Sequence, residues 1–130
     1  MKITVTYKDN KAQLNLPDCH HHLNEALDSP VFSFLKMPTK ADVLELKSKI
    51  NLMYRCQSGQ IQHLCNILKK RTPDLSELEE KRISCLNHDV FNENDYSAEA
   101  REKLLESVQS LSLALSGALW NIKREYETED

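Results

Sequence analysis

Two Cys-x-x-His pairs stand out among the residues able to do chemistry, Cys19 with His22 and Cys85 with His88. A three-residue spacing puts both side chains of a pair on one face of a helix, so two such helices that met would bring together four ligands suited to Zn2+. The Cys-x2-Cys spacing common in zinc sites is absent, and His63 and Cys65 stand about 200° apart on a helix, too far round to share an ion locally. A second chemistry is thiol-dependent catalysis, with Cys85 as nucleophile and His88 as base. Asp89 supplies the residue type that orients such a base, but adjacent helical residues diverge by about 100°, so it is poorly aimed at His88. With 2 Gly in 130 residues there is no Gly-rich phosphate loop and no nucleophile elbow. Small buried cysteines beside surface histidines explain the same residues, and the expectation is a non-enzymatic chain without metal or cofactor.

The elements that carry these residues are mostly helical. Ile3, Val5 and Tyr7 alternate with polar residues, as do Ala12, Leu14 and Leu16, which predicts an N-terminal β-hairpin. With Asp9 and Asn10 as a two-residue turn, Ile3 faces Leu16, Val5 faces Leu14 and Tyr7 faces Ala12. Asp18 caps a short helix from Cys19 to about Leu27, stopped by Ser29-Pro30. The segment Val31 to Met37, with Phe32, Phe34 and Leu35 wanting burial, suits either a helical turn or a strand.

Thr39 and Asp42 form a variant of the capping box, and from there a helix runs to about Arg71. Its stripe is Val43, Leu46, Ile50, Met53, Ile61, Leu64 and Leu68, with Gln57 the one polar member. After Thr72-Pro73, Asp74 and Glu77 open a second helix to about Phe91 through Leu75, Leu78, Ile83, Leu86 and Val90. Ser97 caps a third to about Tyr126, whose stripe is Ala100, Leu104, Val108, Leu111, Leu115, Ile122 and Tyr126. The expected fold is α+β, mostly α: an N-terminal β-hairpin packed on a helical bundle with two long antiparallel helices. It forms one domain, 1–130, with the hairpin at 1–17, the short helix and connector at 18–38, the bundle at 39–126 and an acidic tail at 127–130.

Charge is uneven along the chain. The residues up to Pro73 carry 11 Lys+Arg against 6 Asp+Glu, or +5, and those from Asp74 on carry 6 against 14, or -8, which together give the net charge of -3. An early basic helix lying against late acidic ones accounts for this without a nucleic-acid partner: the Lys69, Lys70, Arg71 run sits at a helix end, where cations suit the macrodipole, and no aromatics interleave with it. No stretch reaches the roughly 20 apolar residues of a membrane span, and the first residues lack the pattern of a secretory leader. Cys19, Cys56, Cys65 and Cys85 lack the dense spacing of a secreted disulfide scaffold, so reduced thiols in a reducing, cytoplasmic setting are expected.

Apolar surface remains after the core stripes are assigned. On the last helix Leu113, Gly117 and Trp120 lie roughly 120–180° from the Val108, Leu115, Ile122 stripe, and Leu52, Cys56 and Gly59 sit opposite the main stripe of the first long helix. Leu113, Gly117 and Trp120 are therefore the candidate partner-binding residues, since Trp is a frequent interface anchor and Gly lets a second backbone approach. The partner is another protein or a second copy in a homodimer.

Glu125, Glu127, Glu129 and Asp130 close the chain, and a glutamate-rich C-terminus of this kind resembles the secretion signals of effectors sent through bacterial type IV systems. The resemblance implies a small helical effector, made in a bacterial cytoplasm and translocated into a host cell. By analogy it implies a regulator that binds and inhibits a larger effector enzyme.

Overall fold

The computed structural model describes residues 2–7, 10–15, 18–28, 39–67, 71, 73–92 and 96–126, and places side chains in residues 18–21, 23–25, 28, 39–67, 71, 73–92 and 96–122. Its helices are α1 (His21–Leu27), α2 (Lys40–Ile67), α3 (Ser76–Leu86), α4 (Asp89–Asn92) and α5 (Ala98–Tyr126). Local chemistry fixes several starts. Thr39 N–H donates to Asp42 Oδ2 at 2.8 Å while Asp42 N–H donates to Thr39 Oγ1 at 3.2 Å, a reciprocal cap. Ser97 Oγ accepts the N–H of Ala100 at 3.2 Å, and Asp18 Oδ1 accepts that of His20 at 3.0 Å.

The α+β class is corrected. Of the residues with placed side chains, 85% are helical and none lies in a strand, so the fold is mostly helical. At the N-terminus the backbone of β1 (Lys2–Tyr7) and β2 (Asn10–Asn15) pairs antiparallel. The pairing also differs from the expected one, with Ile3 opposite Leu14 and Val5 opposite Ala12. A slip of two residues keeps every side chain on its face, so alternation cannot distinguish the two registers. The packing of an apolar hairpin face on helices, like the reading of Val31 to Met37 and of the acidic tail at 127–130, lies outside the described residues.

The direction of the long helices is a second correction. Arg82 of α3 reaches Asn51 of α2, and Cys85 of α3 reaches Ser107 of α5. Leu75, before α3, packs instead with Ile61, Leu64, Leu119 and Ile122. α3 therefore runs antiparallel to both α2 and α5, and the two long helices run parallel. With one return pass between them, an up-down-up path leaves no other sense.

The core follows the α2 and α5 stripes. Leu46, Ile50, Met53, Leu104, Val108, Leu111 and Leu115 are buried together, and Ile61, Leu64, Cys65, Leu119 and Ile122 form a second cluster. The expected second helix is cut in two. Asn87 N–H turns back to Ser84 O and His88 N–H to Cys85 O, tightening the last turn of α3 before Asp89 opens α4. Asn, His and Asp are weak helix formers, and three in a row make the break inexpensive. On α3 Cys85 takes the core place and Ile83 is exposed, because Ile83 stands about 140° from Leu78.

The expectation of four reduced thiols is also overturned. Cys19 and Cys56 are disulfide-bonded with Cα atoms 5.6 Å apart, while Cys65 and Cys85 are buried and outside any disulfide. Helical periodicity carries no information on which cysteines meet in space, because Cys19 sits in the turn ahead of α1. The bond pins the start of α1 to the middle of α2 and closes a 37-residue separation. Replacing both cysteines by Ser should lower the unfolding free energy by on the order of 3–4 kcal/mol. Urea denaturation of the oxidised protein and the double variant checks this; equal midpoints would contradict the bond's structural role.

Candidate functional site

α5 presents its core stripe inward and its opposite side to solvent. Leu115 is fully buried, whereas Leu113 is 74% exposed and Trp120 52% exposed. Leu113 and Trp120 are separated by seven residues, two turns, so they lie about 10 Å apart along nearly one line of the helix. Gly117 stands between them in sequence, and a Cβ built on it would meet nothing within 4 Å. The three candidate partner-binding residues thus sit on the outward part of one helix.

Gly117 also borders a groove of about 750 Å³ between the start of α3 and the later turns of α5. Leu75, Leu78, Ala114, Ala118 and Ile122 supply its apolar lining, and Asp74, Glu77, Lys81 and Asn121 its polar lining. Asp74 is held below the ordinary carboxylate range, chiefly because it accepts the backbone N–H of Ser76 at 2.9 Å.

The second apolar side of α2 has a different fate. Leu52 and Gly59 are exposed, but Cys56 is taken by the bond to Cys19, so the chain's own α1 covers part of that side. Beside the disulfide, His20 joins three elements. Its Nε2 donates to Gln57 Oε1 at 2.6 Å, and its Nδ1 lies 2.8 Å from the Ser112 hydroxyl. Gln57 Nε2 in turn donates to Gln60 Oε1 at 3.0 Å within the buried face of α2. Gln57 was the polar exception in its stripe; its position signalled a buried hydrogen bond, and nothing in the sequence pointed to His20 as the partner.

The possible chemistries fare differently. Cys19 is consumed by the disulfide, and the side chain of His22 lies outside the described residues. Among the described residues no three His, Cys, Asp or Glu side chains lie together as a metal site would require. Cys85 and His88 do not share a helical face, because α3 ends at Leu86. Burial pushes the Cys85 thiol up, and its sulfur lies 3.1 Å from the Ser107 hydroxyl. Burial outweighs the Ser107 hydrogen bond, which pulls the thiol the other way, and leaves it protonated, the opposite of an activated nucleophile. His63 is exposed while Cys65 is buried, as their angular separation requires.

A polar cluster that sequence reasoning missed joins α2 to α3. The Arg82 guanidinium donates to Asn51 Oδ1 at 2.8 Å, pairs with Glu79 and lies 5.3 Å from the centre of the Tyr54 ring. Arg82 and then Tyr54 hold the Glu79 carboxyl below its ordinary range. The cluster surrounds a small cavity of about 210 Å³ and serves to lock α3 against α2.

No known protein family, curated protein or solved structure matches this chain in comparison.

Burial, and then the hydrogen bond to Glu79, push the Tyr54 phenol from 10.0 up to about 12. The folded state therefore holds this proton more tightly than the unfolded chain, and the stability it adds is complete below pH 10 and lost as the pH rises toward about 12. Denaturation curves over that alkaline range should fall more steeply for the native protein than for Tyr54→Phe. Parallel curves would contradict the assignment.

Proposed function

We propose that this chain is a non-catalytic protein-interaction module that inhibits or adapts a partner protein, such as a larger effector enzyme. The observation that carries the reading is the exposure of Leu113 and Trp120 together on the face of α5 turned away from the core. Large apolar side chains paired on a solvent face favour a partner that covers them, and Trp fills a pocket with little loss of side-chain entropy. The environment of Cys85 supports the same reading, because a thiol pushed up by burial is poorly prepared for attack.

The proposal includes the acidic C-terminus as a secretion signal of the type IV kind and a bacterial producing cell. The Cys19–Cys56 bond fits residence outside a reducing cytoplasm better than retention in one. No helix among the described residues is long and apolar enough to cross a membrane. Two copies sharing the α5 face about a twofold axis are the self-association form of the same reading.

Trp120→Ala tests it. In a quantitative pull-down from the native host, the variant should retain its partner at least about 2 kcal/mol more weakly, the range of an interface anchor. Its thermal midpoint as a monomer should stay close to that of the native protein. A loss of about 3–5 kcal/mol in folding stability would instead make Trp120 a core residue and remove the anchor.

A further inference from the structure

The groove bordered by Gly117 is a second apolar feature of the α5 surface, and the exposed Leu113 and Trp120 side chains do not line it. Its walls are two antiparallel helices, so a shape that follows both is a third helix laid along them. Leu75, Leu78 and Ile122 provide an apolar floor, and Ala118 and Gly117 keep the α5 wall low. The open space over Gly117 can admit a side chain from outside without displacing anything.

Charge decides what kind of helix fits. Asp74 and Glu77 stand at the α3 side of the groove with Lys81 further along. Two carboxylates against one ammonium leave the groove lining with a net charge of -1. A cationic segment is drawn to such a surface and an acidic one repelled.

We propose that the α3/α5 groove receives an amphipathic, Lys- or Arg-rich helix of a protein partner, its apolar row over Gly117 and Ala118 and its cationic side chains at Asp74 and Glu77. The inference rests on the reading of the chain as an interaction module and adds the chemistry of the partner.

The probe is a fluorescein-labelled helical peptide of roughly 18 residues containing Leu at i, i+3, i+4 and i+7 and Lys elsewhere, set against a counterpart with Glu in place of Lys. Fluorescence anisotropy titrations use the full oxidised chain. The Lys peptide should bind about tenfold or more tightly than the Glu peptide, and its binding should weaken with added salt. Gly117→Leu adds a side chain whose Cβ meets nothing within 4 Å, and it should weaken Lys-peptide binding about tenfold while keeping the helical circular dichroism and not lowering the melting temperature. Glu77→Lys should weaken it as well, and Gln62→Ala, on the exposed side of α2, should leave it within about twofold.

Equal binding of both peptides, no binding of either, or binding undiminished by Gly117→Leu overturns the proposal. If Trp120→Ala abolishes binding while Gly117→Leu does not, the groove is wrong and the interaction reading survives on the Leu113 and Trp120 surface. A dimer in sedimentation that Gly117→Leu dissociates overturns the cationic partner in favour of a second copy of this chain.

Discussion

Burial of one stripe of α5 against α2 and α3 fixes the rotation of α5 about its own axis, and the exposed surface follows from that rotation. Leu104, Val108, Leu111, Leu115 and Leu119 turn inward, so Leu113 and Trp120 must turn outward and Ala114 and Ala118 must turn toward α3. A large rotation would exchange these roles at the cost of exposing several fully buried leucines, each worth about 1.5–3 kcal/mol of burial. The outward face is thus held in place by the inward one. Neither Leu113 nor Trp120 belongs to the described core, so their exposure is a consequence of packing elsewhere.

Specific bonds then select among ways of packing three amphipathic helices. On one side of the α2–α5 seam, the Cys19–Cys56 bond and the His20 hydrogen bonds hold α1 over both helices. On the other, Arg82 ties α3 to α2 through Asn51, and Cys85 with Ser107 ties α3 to α5. Directional bonds of this kind set the order and sense of helices that a purely apolar seam would leave open.

Where the physics is local, the sequence was readable. The 3.6-residue stripes of α2 and α5 identified the inward residues from Val43 to Leu64 and from Ala100 to Ile122, and Thr39, Asp42 and Ser97 marked helix starts that the hydrogen bonds realise. The outward position of Leu113, Gly117 and Trp120 was legible for the same reason. What failed depends on distant parts of the chain: the parallel sense of the long helices, the Cys19–Cys56 pairing and the His20 contact with Ser112, 92 residues away. The fold class failed because a short alternating segment weighs little against helices that make up 85% of the residues with placed side chains. The groove was hidden because it belongs to α3 and α5 jointly, and neither helix shows it by itself.

Trp120 is the single tryptophan in the chain, so its fluorescence reports directly on the outward face of α5. An exposed indole should emit like tryptophan in water and be quenched efficiently by iodide in the native monomer, with little further change on denaturation. Blue-shifted emission, protected from iodide until the protein unfolds, would place Trp120 in the core and contradict the rotation of α5 on which the proposed interaction surface rests.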